Sequence, residues 1–299
     1  MMYYILANPF SGNGQGKRVT KALIPYLVQQ GITYELFETQ HGFDEARLIK
    51  VIMTQKTPLD RVLIIGGDGT LSLALNALPS DQTFSYIPAG SGNDFARAFG
   101  IPLNQPLKAF KQLHQANPKT IHVLKYDSQE MSGIAVNNIG IGLDAAIVAA
   151  TNKGVVKQLL NKIKLGRLAY LLNALGVLFS KHPFSITVNH TEFTQAFLFT
   201  MTKHPFFGGG IPLAPEGSLL DSDIHLVELD RFNLIGIVAL IPKVFKGKHF
   251  TNRHVHYQIG KTFTLSTTSE QPMQIDGETF VIKANKPLYV TTEERLIMN

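Results

Sequence analysis

Short, mainly apolar runs alternate with stretches of helical periodicity along the first part of the chain. The runs are Tyr3 to Ala7, Thr33 to Phe37, Arg61 to Ile65 and Phe84 to Ile87. Helical patterns lie between them over Val19 to Gln30, from Asp44 onward, and over Leu71 to Leu78. Contiguous aliphatic and β-branched runs suit strands buried on both faces of a parallel sheet, and the intervening segments suit crossover helices. Beyond about residue 120 strand-like runs follow one another instead: Ala135 to Ile139, Ser185 to Asn189, Phe197 to Thr202, Ile224 to Leu229, His254 to Ile259, Thr262 to Ser266, Met273 to Ile275 and Phe280 to Lys283. Helical patterns interrupt them near Leu143 to Tyr170 and Phe232 to Phe245. The fold expected is α/β plus β. Residues 1–122 form a three-layer α/β domain with a parallel sheet, and residues 123–287 form a mainly antiparallel β-sandwich domain with helical insertions. A last run, Pro287 to Thr292, is expected to close the β domain or to return with the tail 288–299 to the first one.

Three of the parallel strands run into glycine-rich loops. Arg61 to Thr70 reads R-V-L-I-I-G-G-D-G-T, so the apolar strand breaks at Gly66 and Gly67, and a helix follows Thr70. Glycine lets backbone amides approach phosphate oxygens, and the helix N-terminus adds a favourable dipole. A carboxylate there, Asp68, repels phosphate unless a metal ion lies between, which points to a Mg-nucleotide. Asn8 to Arg18, N-P-F-S-G-N-G-Q-G-K-R, follows the first strand. Its glycines fall at every second position, so it has neither P-loop nor dinucleotide-fold spacing. Pro88 to Arg97, P-A-G-S-G-N-D-F-A-R, follows the fourth. A single such loop is an ordinary strand-to-helix turn. Three of them place several backbone donors at one edge of an open α/β sheet, where such sheets bind ligands.

Together these loops resemble the diacylglycerol kinase catalytic family, whose relatives include sphingosine kinases and NAD kinases. The Asn8 to Arg18 and Pro88 to Arg97 loops point to its soluble bacterial lipid kinases. Further segments similar to the family are Asn137 to Ala145, Leu165 to Tyr170, Phe207 to Gly210, and Ile275-Asp276-Gly277-Glu278. The resemblance implies ATP and Mg2+ as cofactors and phosphoryl transfer to a lipid hydroxyl. Nucleotide contacts are implied for Asn8, Pro9, Ser11, Gly12, Thr39, Gly66, Gly67, Asp68, Gly69, Thr70, Ser91 and Asn93, with Arg18, Arg97 and Lys164 neutralising phosphate charge. Asp68 and Asp94 would position Mg2+, and Asp276 or Glu278 would accept the hydroxyl proton. Carboxylates at i and i+2 project alike from a strand, so both stay open. Asp-Gly is also a favoured hairpin pair, which makes a plain turn the alternative at that segment.

Two departures from the family pattern stand out. Ser72 and Leu73 replace its usual Asn-Glu, so one polar nucleotide contact is missing. Its D-G-x-L-D metal segment becomes Asp221-Ser222-Asp223-Ile224-His225. Asp221 and Asp223 are the metal ligands expected there, since a hard cation prefers oxygen to the imidazole of His225. The remaining histidines lack zinc-site spacing, and His254 and His256 are expected to share one face of a strand.

Composition changes the picture in three ways. The 299 residues are enough for two domains, and the absence of cysteine excludes disulfides and thiolate metal sites. No leader or membrane-spanning run is legible, so a cytoplasmic protein is expected. The net charge of +6 is concentrated in two acid-free runs beside apolar helical patterns. One holds Lys153, Lys157, Lys162, Lys164, Arg167 and Lys181; the other holds Arg231, Lys243, Lys246, Lys248, Arg253 and Lys261. They suit peripheral contact with an anionic membrane bearing the lipid substrate. Nucleic acid is not expected, because the aromatics do not interleave with the cations. Homodimerisation is left open. A regulatory nucleotide-binding protein without catalysis and an NAD kinase-like enzyme are the alternatives.

Overall fold

A computed structural model describes residues 1–143, 145 and 182–299. Strands β1 (Tyr3–Ala7), β2 (Tyr34–Glu38), β3 (Arg61–Gly66) and β4 (Phe84–Pro88) alternate with helices α1 (Ser11–Gln29), α2 (Glu45–Gln55) and α3 (Asp68–Ala77). Helices α4 (Asp94–Phe99) and α5 (Pro106–Gln115) follow. The strands pair in parallel in the order β2, β1, β3, β4. Tyr3 to Ala7 and Val62 to Ile65 are buried at every position, because α1 packs with α5 and α2 with α3 to cover the sheet. That is why these strands carry no polar alternation. The first helix begins earlier than its periodicity predicts. Gly12, Asn13 and Gly14 take left-handed backbone at φ of 56°, 56° and 82°, so the glycine loop winds directly into α1.

The second half is mainly antiparallel. It contains β5 (Lys119–Asp127), β6 (Ser132–Ala135), β7 (Asn138–Gly142), β8 (Phe184–Val188), β9 (Thr191–Thr202), β10 (Phe206–Phe207), β11 (Ile211–Pro212) and β12 (Ile224–Asp230). Helix α6 (Leu234–Phe245) precedes β13 (Val255–Gly260), β14 (Phe263–Thr267), β15 (Gln271–Ile275), β16 (Glu278–Ile282) and β17 (Leu288–Ile297). Phe184, Ile186, Phe199, Met201, Ile224, Leu226 and Leu265 form its core. The single strand expected over Ala135 to Ile139 is two strands, β6 and β7. The chain breaks at Val136-Asn137, where successive backbone amides turn toward one side chain described below.

Strand β17 links the halves. It runs antiparallel to β5 and β14 and meets β4 in parallel where Ile297 pairs with Phe84. Leu288 and Val290 lie in the sandwich core, whereas Ile297 lies in the α/β core. The Leu165 to Tyr170 segment, Lys164 and the other cations of the first acid-free run lie outside the described residues. So does the helical insertion expected near Leu143 to Tyr170, apart from Leu143 and Ala145. Among the described residues no helix is long and apolar enough to cross a membrane.

Candidate active site

The three glycine loops meet at the ends of β1, β3 and β4. A Cβ on Gly12 would strike the Ala89 carbonyl, and one on Gly90 would come within 2.6 Å of the Gly67 Cα. The loops can close only because these positions carry no side chain. Asn8 ties the first loop to the second: its Nδ2 donates to the Thr70 hydroxyl at 3.0 Å, and its Oδ1 accepts from the Phe10 amide at 3.0 Å. The Ser11 hydroxyl accepts from the Gly67 amide at 3.3 Å and lies 3.4 Å from the Thr70 hydroxyl. Thr39 is buried at the end of β2, where its amide donates to the Ala7 carbonyl. In the third loop Asn93 adopts left-handed backbone, and its side chain both accepts from the Gly90 amide and donates to the Gly90 carbonyl. Ser91 stays exposed at the tip.

Asp68 opens α3 and accepts the backbone amides of Asp94 and Phe95, both at 3.2 Å, so one carboxylate fixes α4 against α3. Asp94 accepts from the Gly209 amide at 2.8 Å, which draws the triple-glycine segment to the site. Arg97 places its Nε 3.9 Å from Asp94 Oδ1 and its guanidinium 5.7 Å from the Phe206 ring centre. Burial, then the neighbouring charge of Asp94, push the Asp68 carboxyl up to about 6; the two amides oppose this and Asp276 adds to it. An Asp in the unfolded chain titrates near pH 3.9. The folded protein therefore holds this proton more tightly, and chelator-treated protein should lose stability as pH rises from about 4 to about 6. Melting curves across that range are expected to show the loss in the wild type and a flatter profile in Asp68→Asn.

Asp276 and Gly277 form the two-residue turn between β15 and β16, with φ of 49° and 88° and Ile275 paired to Glu278. Two left-handed residues are what this tight hairpin needs. The turn also presents a carboxylate. Asp276 accepts the amides of Val136, Asn137 and Asn138 at 2.7, 2.8 and 3.0 Å, which accounts for the break between β6 and β7. Burial raises its carboxyl, opposed by the Ser72 hydroxyl on α3 and by those amides. An ionised carboxylate has about four acceptor sites, so these four donors occupy them. Glu278 is exposed at the start of β16.

Other predicted residues are placed differently. Arg18 is exposed and donates to Gln15 at 2.8 Å. Asp221 and Asp223 do not fit a metal ion, because the fully buried Lys203 ammonium already takes the Asp221 carbonyl at 2.8 Å, Asp221 Oδ1 at 3.3 Å and the Asp223 carbonyl. The Asp223 carboxylate pairs with Lys261 at 2.8 Å, and His225 pairs with the Tyr257 hydroxyl. A lysine stands where the metal was expected. Lys203→Met, which keeps the length and removes the donor, should cost about 1–3 kcal/mol for each stranded carbonyl in urea unfolding.

Two site residues escaped sequence reasoning. Glu45, buried in the first turn of α2, comes within 3.5 Å of Asn8 Nδ2, and burial raises its carboxyl against hydrogen bonds from Thr70 and Asn8. Nothing in the local sequence singles it out, because an acid in the first turn of a helix is ordinary dipole chemistry. Ser72 looked like the loss of a contact, yet its hydroxyl supports Asp276.

The diacylglycerol kinase catalytic domain family matches residues 2–126, and the YegS C-terminal NAD kinase beta sandwich-like domain family matches residues 137–293. A diacylglycerol kinase of Bacillus subtilis is 27% identical over 280 residues, covering 92% of this chain and 88% of that protein. A diacylglycerol kinase of Mycobacterium tuberculosis is 28% identical over 254 residues, covering 82% of this chain and 78% of that protein. A crystal structure of a diacylglycerol kinase from Bacillus anthracis shares the fold with a TM-score of 0.68 at 18% identity, covering 99% of this chain and 96% of that chain. The two family matches follow the two halves of the fold in order, and the chain belongs to the diacylglycerol kinase-like lipid kinases that carry a YegS-type C-terminal β-sandwich.

Proposed function

We propose that the protein transfers the γ-phosphoryl group of Mg-ATP to a lipid hydroxyl, with diacylglycerol or a related glycerolipid as acceptor. The observation that carries this is the convergence of three amide-rich loops on Asp68 and Asp94, with the Asp276 turn held to the same helix α3 through Ser72. Residues 1–122 would hold the nucleotide and residues 123–287 the lipid. Asn8, Pro9, Ser11, Gly12, Thr39, Gly66, Gly67, Gly69, Thr70, Ser91 and Asn93 line the phosphate and nucleotide positions in this reading, and Arg97 supplies positive charge at the third loop.

Asp68 and Asp94 bring two carboxylates together at a partly desolvated place where Asp276 adds to the negative field. Hard oxygen donors under mutual repulsion suit Mg2+, which would supply charge neutralisation between carboxylates and phosphates. The rest of the work is positioning, as phosphoryl transfer requires. The lipid oxygen attacks the γ-phosphorus, the bond to the β-phosphate oxygen breaks, and the hydroxyl proton passes to a carboxylate. Glu278 is the base in this assignment. Asp276 is already saturated with donors and holds the β15–β16 turn in place.

A lipid substrate has to be met at a membrane surface, and α6 supplies a face for it. Ile235 is 85%, Val238 41% and Phe245 50% exposed along one side of this helix, with Lys243, Lys246 and Lys248 at its end. Burying an aliphatic or aromatic side chain is worth about 1.5–3 kcal/mol, and each nearby cation adds about 1 kcal/mol on an anionic leaflet. Ile235→Glu with Phe245→Glu should weaken binding to anionic vesicles at least tenfold in a flotation assay. Activity on a dispersed short-chain lipid should stay near wild type. Equal vesicle binding by both proteins would remove α6 from the membrane contact.

A further inference from the structure

Strand β12 and the chain leading into and along β13 present two carboxylates and two imidazoles on one face. Glu228 lies directly opposite His256, and the Asp230 amide donates to the His254 carbonyl. The period of two along each strand puts residues 228, 230, 254 and 256 on a common side. His256 Nε2 lies 3.0 Å from Asp230 Oδ2 and 3.8 Å from Glu228 Oε2. Metal bonds of about 2.1 Å at tetrahedral angles separate ligand atoms by about 3.4 Å, midway between these distances. Glu228 is 0% exposed, and neither of its carboxylate oxygens has a hydrogen-bond partner. A carboxylate sealed from water without a partner is costly, so something must meet those oxygens.

We propose that Glu228, Asp230 and His256 form a binding site for a divalent transition metal, Zn2+ by its chemistry, with a fourth position open to water. An imidazole with two carboxylates suits Zn2+ and disfavours Mg2+ or Ca2+, which take oxygen. The side chains of His256 and Asp230 are 38% and 25% exposed, which gives the ion a way in. His254 is an orienting neighbour rather than a ligand. Its Nε2 accepts from Arg253, so Nδ1 carries the proton and faces Asp230 at 3.7 Å, while its ring stacks on Phe232 at 4.3 Å. Such outer partners fix a ligand's direction. The ion would clamp β12 to β13 at the two ends of the segment that carries α6. It would thus set the base of the exposed apolar helix without entering the phosphoryl-transfer site. The competing occupant is a proton, because burial and the Asp230 charge push the Glu228 carboxyl up to about 9.

The test uses the full chain, stripped with a chelator and dialysed, then titrated with Zn2+ by calorimetry and with Co2+ by visible absorption. Wild type should bind one equivalent, raise its melting temperature with Zn2+, and give a tetrahedral Co2+ spectrum. Glu228→Gln, which keeps the shape, and His256→Ala should each weaken binding by about 100-fold or more, and His254→Ala by about 10–100-fold. His41→Ala, which alters an exposed histidine elsewhere, should leave it unchanged. Failure of the wild type to take up Zn2+, or equal affinity in Glu228→Gln, would overturn the site and leave Glu228 as a buried neutral acid.

Discussion

Asp68→Asn is expected to lower lipid phosphorylation by about 10²–10³-fold or more while the protein stays folded. The substitution preserves the shape and one acceptor but sets its NH2 group against one of the two amides at the start of α4, at a cost of about 1–3 kcal/mol that should lower the melting temperature without unfolding the protein. What disappears is the negative charge that Asp68 shares with Asp94. At low pH the wild type should resemble this variant, since its own Asp68 is protonated below about 6 in the absence of metal. Circular dichroism and melting curves check the fold, and turnover with labelled ATP checks the chemistry. Wild-type turnover in a folded Asp68→Asn protein would remove this carboxylate from the site.

Glu278→Gln is expected to lower kcat by about 10²–10⁴-fold with little change in the KM for ATP, because proton acceptance occurs in the transition state. Its stability should stay near wild type, since Glu278 is exposed. Asp276→Asn should behave differently. Turning an acceptor oxygen into an NH2 group sets it against one of the amides of Val136, Asn137 and Asn138, at a cost of about 1–3 kcal/mol. Both activity and melting temperature should fall in that variant. A stable, inactive Asp276→Asn beside an unimpaired Glu278→Gln would transfer the base to Asp276.

Most of the parallel half was legible because β1, β3 and β4 are buried on both faces, whereas β2 at the sheet edge is only half-buried. Uninterrupted apolar runs such as Val62 to Ile65 have few other interpretations. The three loops were legible because close backbone approach demands glycine, and Gly12, Gly67 and Gly90 are the positions where the loops touch. What the sequence hid depends on contacts between distant segments. Nothing local marks Val136-Asn137 as a strand break, since the cause is a carboxylate 140 residues away in sequence. Lys203 sits at a strand end like any surface lysine, and only the fold turns its ammonium into the carbonyls of Asp221 and Asp223. Glu228 lies inside the apolar run Ile224 to Leu229, where its role depends on the register that sets it opposite His256. His254 and His256 were expected to share a strand face; the acids that face them come from the neighbouring strand.

The central claim is phosphoryl transfer to a lipid hydroxyl, and the most direct measurement is label transfer from γ-labelled ATP. Purified protein would be incubated with Mg2+ and a panel containing diacylglycerol, other glycerolipids, a sphingoid base, a polyprenol and NAD, and the products separated by phase. Mg2+-dependent label is expected in the lipid phase, strongest with diacylglycerol or a related glycerolipid and lost in Asp68→Asn. Label confined to NAD, or no lipid labelled by folded protein that binds ATP, would contradict it.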